Sequence, residues 1–379
     1  MNERERFIAA ATFQNPDKLP LMTMGPREST LRVWQQQGLP AGEDWHHYMC
    51  AHLGIPYEYP QAPYVDPGIL FRMVPMFEEK VLEHRNGHYL VQDWMGNITE
   101  ISDEFDVTYI RAARDFVTRK WHAFPVANPA QFAMMKQRYN PDDPTRFPTD
   151  FAQRAALLRE RDYPQIISFA GPFWQLREWC GFEPLCMLFL DDPAFVAEMI
   201  DFWSDYVTAL LERTFNTYVP DAILVNEDMA YKGASMLSPA MTRQYLLPVW
   251  RRWNTLAREA GVPVLMVDSD GNIDELIPLW IEAGFNLCQP VEVAAGCDLA
   301  AYRKRFGTRM AYWGGIDKRC IARGGTDLDE EMARIAAVVH QGGVIPGCDH
   351  GMPFDISWQN LLHFGRLWAE MTGWLHSCV

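Results

Sequence analysis

Residues 262–272 read Val262-Pro263-Val264-Leu265-Met266-Val267-Asp268-Ser269-Asp270-Gly271-Asn272. An amphipathic stretch follows from Ile273 to Ala283, then Gly284, then Phe285-Asn286-Leu287-Cys288-Gln289-Pro290-Val291-Glu292. An apolar run of strand length, a helical stretch stopped by glycine and a second apolar run make one strand–helix–strand unit. The two apolar runs scarcely alternate with polar residues, which is how strands read when a parallel sheet is covered by helices. The charged residues gather where the first strand gives way to its helix.

The same unit recurs on both sides. Upstream, Pro164 to Ala170 and Ala222 to Val225 are short apolar strands. Asp192-Pro193 caps a helix with apolar residues at 196, 199, 200, 203, 207, 210 and 211, and Ser238-Pro239 opens another that stops at Gly261. Downstream, Asp298 caps a short helix closed by Gly307, and Met310 to Trp313 is a strand. Residues 328–340 are a helix, Val344-Ile345 the last strand and 356–374 the last helix. Six or more alternations specify an α/β fold, either an open doubly wound sheet or a closed barrel. No G-x-G-x-x-G follows the first strand and no P-loop occurs.

The first half is less regular. Residues 3–13 predict a short helix and Leu19 to Met24 a first strand. Arg85-Asn86-Gly87-His88 lies between two extended runs, a strong hairpin signal, and Met95-Gly96-Asn97 makes a second turn. An antiparallel excursion is expected here, then a loop rich in Pro, Asp and Arg at 138–150, so that residues 75–150 form an insertion over part of the mouth.

What lies at the strand ends decides between sheet and barrel. The successive ends are Asn226-Glu227-Asp228, Asp268 to Asn272, Gln289 to Glu292, Gly314-Gly315-Ile316-Asp317-Lys318-Arg319 and Gly347-Cys348-Asp349-His350-Gly351. A lone Asp after a strand is usually a helix cap or a solvated turn. Five ionisable ends in succession describe one functional rim, as in a (β/α)8 TIM barrel, whereas an open sheet gathers its polar residues at one crevice. With no linker or repeat in 379 residues, a single barrel domain over 1–379 is expected.

Composition narrows the function. About 48% of the chain is apolar, ample for a large core, and 34 basic against 49 acidic side chains leave a formal charge of −15. That balance argues against nucleic acid or an anionic membrane as partner. The charged opening Met1 to Ala10 lacks an apolar signal core, and eight cysteines without a C-x-x-C pair read as reduced thiols, so a cytoplasmic protein is expected. Fourteen tryptophans suggest a site lined by flat surfaces.

Within the rim, Asp268 and Asp270 leave an extended strand on the same side, where they can bind a cation or share a proton. Glu227, in the neighbouring strand end, is a third candidate acid, and His350 a proton donor or anion-binding group. Cys348 is a soft potential metal ligand or a small buried side chain. Trp174, Trp179, Trp313 and Tyr231 lie near strand ends, where they pack or sandwich a flat ligand. Lys318, Arg319 and Arg177 are placed to grip an acid.

In this order the motifs resemble the uroporphyrinogen decarboxylase superfamily, which includes cobamide-dependent methyltransferases. The resemblance runs from Arg4-Glu5-Arg6-Phe7-Ile8-Ala9-Ala10 and Pro16 to Pro20 through Asp191-Asp192-Pro193 and Asn226 to Met229. It continues over Ser238-Pro239, Leu247-Pro248, Asp268 to Asn272, Glu292, Gly314 to Arg319 and Asp349-His350 to Asn360. It implies a (β/α)8 barrel. The tetrapyrrole decarboxylases carry an N-terminal W-x-M-R-Q-A-G-R segment whose arginines hold substrate carboxylates, whereas Met22 to Glu28 here offers only Arg27. The thiol-methylating branch holds zinc through His-x-Cys and a later Cys, which correspond here to Asp268, Asp270 and Cys348, a set poor in thiolate.

What remains resembles the demethylating components, which pass a methyl group from a small O-methyl or N-methyl donor to a corrinoid held on a partner protein. The resemblance implies Glu227, Asp268, Asp270 and His350 as catalytic groups. It implies Arg27, Trp174, Arg177, Tyr231, Glu292, Trp313, Lys318 and Arg319 around the substrate. Asp268, Asp270 and Cys348 would frame a site for a divalent metal such as zinc. A homodimer is the expected assembly. A lyase acting on a tetrapyrrole or small carboxylate and a barrel that only binds a ligand are the other readings.

Overall fold

The computed structural model describes residues 1–106, 111, 115 and 117–376. Four antiparallel strands come first: β1 (Lys80–Arg85), β2 (His88–Gln92), β3 (Ile98–Ser102) and β4 (Lys120–Ala123), paired in that order. Asn86 and Gly87 form the β1–β2 turn with φ of 50° and 74°, the left-handed pair a tight hairpin needs. Trp121, in β4, is one of the strands' exposed residues, while Val91 and Ile101 face the main body and are buried.

A six-stranded parallel sheet follows, built from β5 (Ile166–Ala170) and β6 (Ala222–Asn226). The short hairpin β7 (Ala230–Tyr231) and β8 (Ala234–Ser235) comes next. The sheet then continues through β9 (Val264–Asp268), β10 (Leu287–Gln289), β11 (Ala311–Ile316) and β12 (Val344–Cys348). Strand neighbours are sequence neighbours, β5-β6-β9-β10-β11-β12, and every pairing is parallel. This unreversed order, with a helix in nearly every crossover, belongs to a barrel and not to a doubly wound sheet.

Two irregular extended segments flank the sheet. Residues 19–26 run beside β12: Thr23 Oγ1 accepts from the Cys348 amide at 2.8 Å, the Trp313 indole donates to the Met22 carbonyl at 3.2 Å, and Pro26 bridges Met352. The predicted strand Leu19–Met24 is therefore extended but makes no ladder. Residues 69–73 lie beside β5, with the Phe71 ring stacked on Phe169 at 5.0 Å.

Side chains sort by parity. One set, Ala222, Val264, Met266, Leu287, Ala311 and Ile345, fills the barrel together with Phe7, Ala10 and Ala11 of the helix Glu3–Ala11, which plugs its floor. The alternate set, including Ile167, Ile223, Val225, Leu265, Val267, Cys288, Tyr312 and Val344, packs against the outer helices, where Trp203, Trp250, Trp253, Trp280 and Trp368 are fully buried. Most of the tryptophans thus serve the helix layer. No described helix is long and apolar enough to cross a membrane, and the seven described cysteines are free thiols.

Candidate active site

The inward parity, followed to the carboxyl ends, places polar residues in one row. The strand register sets Ala170 opposite Asn226, Asn226 opposite Asp268, and Asp268 opposite Gln289. Asn226 Nδ2 donates to Ser168 Oγ at 2.6 Å, and Gln289 Nε2 to Asp268 Oδ1 at 3.3 Å. Burial, then the charge of Asp270, pushes the Asp268 carboxyl up to about 7.

After Asp268 the chain turns sharply, because Gly271 (φ 81°) lies against the Ala230 backbone, where a Cβ would sit 2.6 Å from a carbonyl carbon. The turn brings Asp270 to His350: Asp270 Oδ2 is 3.1 Å from His350 Nε2. This contact holds the imidazole pKa above its ordinary value against the opposing effect of burial. The other ring nitrogen, Nδ1, is buried without a partner. Beside the pair, Lys318 Nζ donates to Glu292 Oε1 at 2.9 Å, and the Gly271 amide to Glu292 Oε2 at 3.1 Å. Asp349, wholly buried, accepts from the Lys318 and Val293 amides at 3.0 and 2.9 Å and so ties together the loops after β10, β11 and β12. Burial raises its carboxyl to about 6.

A cavity of about 490 Å³ opens at the end of β5. Ser168 and Ala170 form its inner wall, Trp174 and Trp179 come from the helix Pro172–Cys180, Phe71 from the irregular segment, and Trp94 and Arg119 from the antiparallel excursion. An adjoining space of about 370 Å³ shares Arg119, Trp174 and Glu178 with it. The volume falls in the range of small-molecule sites. Residues of the excursion thus supply walls to the mouth.

The structure brings Asp268, Asp270, His350, Glu292 and Lys318 together, and places Trp174 and Trp179 on the cavity. Several other expectations need correction. Glu227 is not a pocket acid: it is wholly buried and caps the helix Pro172–Cys180 from the side. Its Oε2 accepts from the Phe173 and Trp174 amides at 3.0 and 3.2 Å, and its Oε1 from the Trp250 indole at 2.5 Å. Burial pushes its carboxyl up to about 8 while the three donors pull it down. Trp313 does not face substrate; its ring meets Phe7 of the floor helix edge-on at 6.2 Å. Cys348 lies in the apolar layer shared with the outer helices, where burial pushes its thiol up to about 12.

Asp268, Asp270 and Cys348 accordingly do not frame a metal site, and among the described residues no three His, Cys, Asp or Glu side chains are grouped for one. Arg319 is held by Asp317 in a bidentate ion pair on the surface side. Arg177 donates to the Asp228 carbonyl at 2.9 Å and to its carboxylate at 2.8 Å, with its guanidinium 4.2 Å over Trp174; it lines the adjoining space and not the main cavity. Tyr231 stands exposed on the β7–β8 hairpin, and Arg27 lines a separate surface cleft with Arg32 and Phe354. Sequence reasoning missed Ser168, Arg119 and Glu178; only Ser168, on a strand the sequence did reveal, carried a usable signal.

Comparison with known proteins agrees with this architecture. A family model described as uroporphyrinogen decarboxylase (URO-D) matches residues 122–370. Among solved structures, a methyltransferase from Methanosarcina mazei is similar over 98% of this chain and 99% of its own, at 14% identity and a TM-score of 0.56. A B12-independent methionine synthase from Shewanella sp. W3-18-1 covers 60% of this chain and 67% of its own at 12% identity, with a TM-score of 0.37 too low to carry weight. No curated protein sequence matches. With the family model covering well over half its length, the chain belongs to the uroporphyrinogen decarboxylase family.

Proposed function

We propose that the chain is a methyltransferase that takes a methyl group from a small O-methyl donor, a methoxylated aromatic, and delivers it to a corrinoid carried by a partner protein. The observation that carries this reading is Asp268. Its carboxyl is pushed up to about 7 in the inward row, beside the Asp270–His350 pair and two strands along from the aromatic cavity at the end of β5. A carboxyl held near neutrality is matched to protonating a leaving phenolate or alkoxide.

When docked, the corrinoid supplies the Co(I) nucleophile that accepts the methyl group. The residues present suit a partner-borne macrocycle: Tyr231 and Phe354, 57% and 63% exposed, stand on the loops after β6 and β12, on the face where Asp270 opens to solvent. Zinc softened by thiolates does not fit, since Cys348 is sequestered in the helix layer, and no step is routed through it.

The remaining chemistry belongs to the chain. The walls of Trp174, Phe71 and Trp94 hold the donor ring. As the methyl–oxygen bond breaks, its electron pair stays on oxygen, and Asp268 delivers its proton there. Asp270 keeps the His350 imidazole oriented, and its Nδ1, with no protein partner, is free to hydrogen-bond the departing oxygen or a water that reprotonates Asp268.

The test mixes purified protein with a reduced corrinoid protein and a panel of aryl and alkyl methyl ethers, following loss of Co(I) absorbance. A decarboxylase of a small carboxylate is the second reading, favoured by Arg72, Arg111 and Arg119 around the cavity. Carbon dioxide release from carboxylates, with no methyl transfer from any ether, would replace the first reading with the second.

A further inference from the structure

We infer that the cavity at the end of β5 selects flat ligands carrying a carboxylate, anchored on Arg119. The inference deepens the methyl-transfer reading by naming the donor class, and rests on that reading only for what happens to the ligand once bound. Arg119 immediately precedes β4 and lies on the wall shared by the two adjoining spaces. Its guanidinium sits 4.7 Å over the Trp121 ring, and its Nη1 is buried without a hydrogen-bond partner.

Neighbouring cations are already matched: Arg111 pairs with Glu79 at 2.8 Å and Arg177 with Asp228 at 2.8 Å. Arg119 makes no ion pair among the described residues, and Arg72 is exposed at the rim. A guanidinium nitrogen withdrawn from water and left unmatched is costly unless an anion meets it, and a carboxylate offers two acceptors in the matching planar geometry.

The other features define the rest of the ligand. Trp94, Trp174 and Phe71 provide flat apolar surface. At about 30 Å³ per water, a cavity of about 490 Å³ holds roughly 16 water volumes, enough for one substituted ring. Two inter-strand spacings, about 10 Å in all, separate the β5 wall from Asp268, so a ring anchored by its acid at Arg119 extends toward the row. Glu178 lines the same wall. Protonated, Glu178 can donate to the ligand's carboxylate; ionised, it repels it.

The groups acting on Glu178 are Arg177, Arg119, Asp93 and Asp228, and burial outweighs them, raising its carboxyl to about 7. Its proton is therefore present below pH 7 and lost above, so carboxylate binding should weaken as pH rises from 6 to 8.5.

Binding of the full chain to 4-methoxybenzoate and to the uncharged 4-methoxybenzamide, measured by calorimetry, tests this directly. Wild type at pH 6.5 should prefer the acid by about tenfold or more. Arg119→Gln should abolish the preference and Arg119→Lys restore part of it. Glu178→Gln, which removes the competing charge, should hold the acid at pH 8.5 as wild type does at pH 6; this gain keeps the test decisive if Arg119→Gln fails to fold. Equal binding of acid and amide by wild type, or a preference that survives Arg119→Gln, would overturn the inference. Methyl transfer is not read here, so its absence would count only against the preceding proposal.

Discussion

Replacing Asp268 by Asn should make the protein more stable and far less active. Asn keeps an acceptor for the Gln289 amide and the volume of the side chain, and removes only the ionisable acid. In the folded chain the carboxyl is raised from an ordinary 3.8 to about 7. The folded state thus binds more protons than the unfolded state between about pH 4 and 7, and stability falls as pH rises through that window. At ~1.36 kcal/mol per pH unit, the full cost above pH 7 is about 4 kcal/mol. Asp268 is only partly buried, so pocket water recovers some of this, and about 2 kcal/mol is the working figure. For a chain of this length each kcal/mol moves Tm by ~1–2 °C. Asp268→Asn should therefore melt about 2–4 °C above wild type at pH 8.5, with the gain shrinking to less than half at pH 5. Methyl transfer should drop by about 10²–10⁴-fold. Scanning fluorimetry at the two pH values, alongside the corrinoid absorbance assay, reads both effects. A melting difference independent of pH would show that the Asp268 carboxyl is not raised, and retained transfer that it is not catalytic.

Asp270→Asn removes the partner of His350 Nε2, so the imidazole pKa should fall toward 6.5, followed by proton NMR of the ring. Stability from that pair is fully present below pH 6.5 and lost as pH rises through the raised value, so the variant's deficit should be largest near pH 6; an unchanged titration would refute the pairing. Glu227→Gln keeps one acceptor oxygen but turns an amide NH2 toward at least one of the three donors, and should cost about 1–3 kcal/mol in urea denaturation, while 4-methoxybenzoate still binds. An unchanged urea midpoint would show that the capping contacts are not needed. Gly171→Ala places a Cβ 2.1 Å from the Glu227 carboxyl carbon and should destabilise by ~1–3 kcal/mol or more, visible as a lower Tm; wild-type melting would contradict the close approach.

The strands β5, β6 and β9 to β12 were legible because each is a short apolar run bounded by glycine or acidic residues, and their polar ends converge as a parallel barrel requires. Of the two extended segments beside the sheet, Leu19–Met24 was read as a strand and residues 69–73 were not; neither joins the ladder. At the site, Asp268, Asp270 and His350 were visible as strand-end residues, and the structure pairs Asp270 with His350. Cys348 was misplaced because a strand end announces itself in sequence, but whether a side chain faces in or out depends on register and on bends such as that at Gly314-Gly315. Trp313 does face inward, but toward the floor helix, where it meets Phe7. Glu227 looked like its acidic neighbours because nothing local shows that the Trp250 indole reaches it from a distant helix. Arg119 lies in the excursion, where only the tertiary fold brings it over the mouth.

The helix Glu3–Ala11 seals the barrel floor by packing Phe7, Ala10 and Ala11 against residues as distant as Ala311 and Ile345. Those partners are made last on the ribosome. At roughly 5–20 residues per second, the plug leaves the exit tunnel roughly 20–70 s before its final contacts exist. Throughout that interval an apolar face built for the barrel interior has no interior to enter.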